Sequence, residues 1–113
     1  MTFPAAINAK TASSKQMMVH VHATEFDRTG GNVNQYVYDI EREGMHAADA
    51  VIAVSNFTRQ KIVDHYGIPP GKVHVVHNAV EHPDWEVGAL PSHDKIVLYL
   101  GRITMQKGPD YFL

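Results

Sequence analysis

Two cationic side chains share one short, glycine-bounded stretch of this 113-residue chain: Gly101-Arg102, four intervening residues, then Lys107-Gly108. They follow the unbroken apolar run 96–100 (Ile-Val-Leu-Tyr-Leu) and precede the apolar Tyr111-Phe112-Leu113. That order predicts a buried parallel strand, a turn and the start of a helix. Backbone N–H groups and the positive end of a helix dipole converge at such a junction and attract anions. A planar Arg fork beside a mobile Lys charge suits a diphosphate held without a metal ion. The plainer alternative is ordinary turn chemistry with two solvated surface charges.

A second set lies near the other end. His20 and His22 stand two apart in Met-Met-Val-His-Val-His (17–22), so on a strand their side chains share a face. Glu25, Asp27 and Arg28 follow in a polar loop ending at Gly30-Gly31. Two readings are open for these carboxylates and the Arg: contacts to hydroxyls of a ligand, or a mutually compensating surface cluster. A zinc ion on His20 and His22, with Glu25, Asp27 or His77 as third ligand, is a further alternative. It would make the chain a His-rich α/β metal-binding hydrolase. Ser55 reads as a helix cap, since no His-Asp partnership can be assigned to it.

The elements that must position these residues alternate. A helix is expected over 4–12 and a strand over 17–22. A helix capped by Asn32 follows, with Val33, Tyr36, Val37 and Ile40 on its inner face, Asp39, Glu41, Arg42 and Glu43 pointing elsewhere, and Gly44 near its end. A strand over 49–55 leads into a helix over 56–66 that Gly67 stops, with Phe57, Ile62, Val63 and Tyr66 turned inward. Val73 to His77 is a third strand. Strand–helix alternation at this spacing predicts an α/β fold, a parallel Rossmann-like sheet flanked by helices. Residues 81–94, with Trp85 their one large aromatic, read as an interdomain linker between 1–80 and the start of a second domain at 95–113.

Composition narrows the function classes. A net charge of −2, from 10 basic and 12 acidic residues without clustering, gives no nucleic-acid footprint. With no Cys, disulfides and thiolate metal sites are excluded. No apolar run reaches the roughly 18–20 residues of a membrane span, and the first residues lack the pattern of a signal peptide, so a cytoplasmic location is expected. The apolar C-terminus leads to the expectation that this chain is part of a larger protein.

Four segments, 21–31 (VHATEFDRTGG), 48–55 (ADAVIAVS), 72–80 (KVHVVHNAV) and 100–108 (LGR…KG), together resemble the retaining GT-B-fold glycosyltransferases of family 4, the group that contains glycogen and sucrose synthases. The resemblance implies two Rossmann-like domains facing across a cleft. It implies a nucleotide-sugar donor (UDP-, ADP- or GDP-sugar), a glycan acceptor such as an α-glucan, transfer with retention, and neither cofactor nor obligatory metal. Gly101, Arg102 and Lys107 match the donor-diphosphate motif, His22 matches the active-site histidine of the first domain, and Glu25 falls in the acceptor-facing loop. Asn78-Ala79-Val80 departs from the family's usual Asn-Gly-Val. The family's N-terminal glycine-rich loop and paired-glutamate motif are absent from the sequence, so the 113 residues alone are not expected to catalyse transfer. A non-catalytic nucleotide-binding module is the remaining alternative.

Overall fold

The structure, a computed structural model, describes residues 2–81 and 95–113. The chain forms two compact units, Met1–Asn78 and Ala79–Leu113. Most of the expected linker (82–94, with Trp85) lies outside the described residues.

The first unit is built on a three-stranded parallel sheet in the order β1-β2-β3. Its strands are β1 (Met18–Val21), β2 (Ala50–Ala53) and β3 (Val73–Val75). The register pairs Val19 with Val51 and Val51 with Val73, so the β-branched side chains of one face stack in a row. Val19, Val21, Val51, Ala53 and Val73 are buried there with Met17, Met45, Ala48, Ile62, Tyr66 and Ile68. His20, His22 and His74 lie on the exposed side. Asp49 fixes the entry to β1 by accepting the Met17 N–H at 2.7 Å, while its own N–H donates to the Met17 carbonyl at 2.8 Å.

Among the described residues, four α-helices and a 3-10 turn (Pro70–Lys72) complete this unit: α1 (Phe3–Ser13), α2 (Glu25–Thr29), α3 (Gln35–Ala47) and α4 (Asn56–Tyr66). α4 follows the sequence closely. Ser55 caps it by accepting the Thr58 N–H at 3.1 Å, and Gly67 ends it at φ 66°, where a side chain would be strained.

Other expectations are corrected. The loop 23–31 contains α2, started by a capping box in which Thr24 and Asp27 exchange hydrogen bonds. α3 begins after Asn34, not Asn32, with the Asn34 side chain accepting the Val37 N–H. Its inner face is rotated from the expected one: Tyr36 is exposed, whereas Glu41, Gly44 and Met45 are buried. Periodicity could not show this, because burial of Glu41 depends on partners from α2 and α4. Gly44 lies inside the helix, where the Phe3 ring of α1 packs so closely that a Cβ would sit 2.1 Å from a ring carbon. Phe57 is exposed and Thr58 takes the inward position.

In the second unit, 95–100 is not a strand, and Ile96, Val97, Leu98 and Leu100 are exposed. A parallel strand is held by ladders to its neighbours, and among the described residues of this unit no strand flanks it. The helical elements here are a single 3-10 turn, Met105–Lys107, and α5 (Pro109–Phe112), which is four residues long.

Candidate functional site

β1 delivers His20 and His22 to one side of the sheet because side chains alternate along a strand. Their ring centroids are 4.3 Å apart, tilted by 43°. His22 immediately follows the last residue of β1, at the carboxyl edge of the sheet, where open α/β sheets bind ligands. Asn78, just beyond β3, places its side-chain nitrogen 3.5 Å from His22 Nδ1. The neighbouring His77 Nδ1 instead donates to the Val54 carbonyl at 3.0 Å.

A cavity of about 590 Å³ opens beside His22. Its wall includes His20, His22, Glu25, Arg28 and Glu41, with Met45 and Phe3 as apolar members. Glu25 is not an open loop residue. It is buried in the first turn of α2, where its Oε2 accepts from Arg28 Nε at 3.3 Å and Nη2 at 3.2 Å. Its Oε1 lies 3.4 Å from the Asn34 N–H.

Behind Arg28 stands Glu41, which helix periodicity had turned away from the inner face. Its carboxylate accepts from Arg28 Nη2 through one oxygen. Through the other it accepts from the Glu25 N–H at 3.0 Å and the Tyr66 hydroxyl at 2.5 Å. Arg28 also donates through Nη1 to the Ala23 carbonyl at 3.0 Å. Two carboxylates thus face one guanidinium on the cavity wall. Burial disfavours the Arg28 charge, but the hydrogen bonds and charges of Glu41 and then Glu25 outweigh it and lift its pKa above the usual arginine value. Tyr66 is held protonated: burial, reinforced by the adjacent Glu41 carboxylate, pushes its hydroxyl well above the ordinary phenol range.

The far side of α2 is tied to α4. Asp27 accepts the Thr24 N–H at 2.8 Å and the Thr24 hydroxyl at 2.9 Å, and pairs with Lys61. Burial alone would raise the Asp27 carboxyl, yet the hydrogen bonds from Lys61 and Thr24 prevail and hold it below the usual carboxylate value. Glu25 and Asp27, two of the three candidate third ligands of the metal alternative, are thus already engaged by Arg28, Lys61 and backbone N–H groups. Among the described residues no group of three His, Asp or Glu side chains is placed to hold a metal ion.

In the second unit Gly101 sits at a bend, and Arg102 and Lys107 are both exposed. Tyr99 donates its hydroxyl to the Arg102 carbonyl at 3.2 Å. The N–H groups of Lys107 and Gly108 both donate to the Thr104 carbonyl, at 2.9 and 3.2 Å. They are therefore not the open backbone cradle expected from the sequence. What this loop offers an anion is its two side chains.

The arrangement in the first unit can bind a hydroxylated ligand at the sheet edge, with imidazole, guanidinium and carboxylate groups in one wall. The pointer to α2 available in the sequence was the Thr-x-x-Asp pattern at 24–27; nothing singled out Glu41, because a charged residue on an amphipathic helix reads as solvated. Comparison with known proteins supplies the rest. Residues 1–82 match the model of Glycosyltransferase Family 4. An alpha-maltose-1-phosphate synthase of Mycolicibacterium smegmatis is 39% identical over 83 residues, covering 61% of this chain and 21% of that protein. A protein of the same name from Mycobacterium tuberculosis is 34% identical over 83 residues, with the same coverage. An uncharacterised glycosyltransferase of Methanocaldococcus jannaschii is 23% identical over 134 aligned positions, covering all of this chain and 33% of its own length. The chain thus spans a third or less of these curated relatives.

Proposed function

The chain belongs to Glycosyltransferase Family 4, and from that footing we propose that it forms part of a retaining hexosyltransferase that uses a nucleotide-sugar donor. The first unit contributes the acceptor side. The observation that carries this reading is the cavity at the carboxyl edge of the sheet, with His22, Glu25 and Arg28 in one wall. His22 positions the transferred sugar. Glu25 holds the wall in shape through Arg28.

The second unit contributes the donor side. Gly101 lets the chain turn, and Arg102 and Lys107 grip the diphosphate, stabilising the charge that develops on the leaving nucleotide as the glycosidic bond breaks. Two cationic side chains can do this without a metal ion, and no cofactor enters the scheme. The donor is a UDP-, ADP- or GDP-sugar, and the acceptor is a glycan of the α-glucan type. The name of the mycobacterial relatives adds a phosphorylated disaccharide as a product class to test. A cytoplasmic setting accords with the cysteine-free sequence. Among the described residues no helix is long and apolar enough to cross a membrane.

The test is a screen of the natural full-length protein against UDP-, ADP- and GDP-glucose with maltose, glycogen and glucose 1-phosphate as acceptors. Arg102→Ala and Lys107→Ala are each expected to lower kcat/KM for the donor by about a hundredfold, the scale of losing one charge-stabilising donor. Unchanged kinetics in both variants would remove the donor clamp.

A further inference from the structure

Arg28 carries five N–H groups in a rigid fork, and four have partners within the first unit. Nε donates to Glu25, both Nη2 protons serve Glu25 and Glu41, and one Nη1 proton donates to the Ala23 carbonyl. Among the described residues the second Nη1 proton has none. The side chain keeps 39% of its surface exposed although the two carboxylates gripping it are each only 7% exposed. It also lines the cavity next to His22. A guanidinium that served only as structural glue would sit with its carboxylates in the interior; this one is held from behind and left open in front.

We infer that Arg28 is the acceptor-contacting residue of this cavity, and that buried Glu41 is the positioning residue that presents it. The inference rests on the acceptor-side reading of the site. The ligand chemistry is a sugar oxygen accepting one charge-assisted hydrogen bond, either a hydroxyl or a phosphate oxygen. Two carboxylates already face the guanidinium, so its charge does not require an anion. Glu41 fixes the fork in three ways. It binds the guanidinium directly, anchors the first turn of α2 through the Glu25 N–H, and is itself anchored by Tyr66 of α4. Substituting Lys for Arg28 keeps the charge but loses the planar fork that these partners require.

The test titrates the full chain with maltose and, separately, with glucose 1-phosphate, following the Arg28 Nε–H and His22 ring resonances by NMR. At least one probe is expected to shift both resonances with saturation, and which one does so distinguishes hydroxyl from phosphate recognition. Arg28→Lys and Glu41→Gln are each expected to weaken that affinity tenfold or more, and the double variant no further than the worse single one. Ser55→Ala controls for stability. It loses the cap of α4 but bonds no member of the Arg28, Glu25 and Glu41 network, so affinity should stay within twofold at a temperature where all variants are folded by circular dichroism. Neither probe shifting the Arg28 resonance, or both variants binding as the wild type does, would overturn the inference. Binding without transfer by the full-length protein would count against the transferase reading and leave this inference standing.

Discussion

Gly44→Ala sets two effects of known size against each other. In an unperturbed helix interior, Ala is worth about 1 kcal/mol more than Gly, so helix propensity alone predicts a more stable protein. The structure predicts the opposite, because a Cβ at position 44 would lie 2.1 Å from Phe3 Cδ1 and 2.7 Å from Phe3 Cβ. Rotating the ring relieves the first clash and not the second, so α1 itself must move away from α3. Overpacking of this kind costs about 1–3 kcal/mol. Moving α1 also gives up part of the burial of half-exposed Phe3, roughly another 1 kcal/mol. Set against the gain in propensity, the net loss is about 1–3 kcal/mol. Urea unfolding followed by far-UV circular dichroism measures it, with an unchanged m-value showing that the denatured state is not the cause. In a Phe3→Gly background the obstructing Cβ is gone, and the same Gly44→Ala change should stabilise by about 1 kcal/mol. A stabilising effect of Gly44→Ala in the wild-type background would refute the reasoning.

Beyond the donor-clamp and Arg28 tests, two further outcomes are expected. Ser55→Ala removes the acceptor for the Thr58 N–H at the start of α4 and should cost about 1 kcal/mol in the same urea assay, whereas Ser55→Asp should retain most of the stability. Asp27 has a folded-state pKa below its ordinary 3.8, so its contribution is fully present above that value and is lost as pH falls through the lower folded one. Stability measured between pH 6 and 2 should therefore fall less steeply at the acid end in Asp27→Asn than in the wild type, and identical slopes would show that Asp27 is not linked to folding.

Local signals were enough wherever one residue type has one backbone consequence. Ser55 and Gly67 bounded α4, the β-branched runs marked β1, β2 and β3, and their alternation with helices gave the parallel sheet. The position of His22 at the end of β1 followed from the same pattern. Local signals failed where a side chain's environment is made by distant partners. Glu41 became an interior carboxylate because Arg28 and Tyr66 meet it from α2 and α4, positions 13 and 25 residues away. Gly44 gave way to a ring from α1, and Glu25 turned from a loop charge into a buried strut. The run 96–100 had every local mark of a strand and is not one.

Residue order alone was enough to set where α4 starts and stops and where the strands of a parallel sheet lie, because each of these depends on steric and hydrogen-bonding preferences within a few residues. Tertiary structure alone decided which charges enter the interior and which apolar segments find a sheet to join. A buried carboxylate is stable only when donors from other elements reach it, and a strand exists only beside another strand.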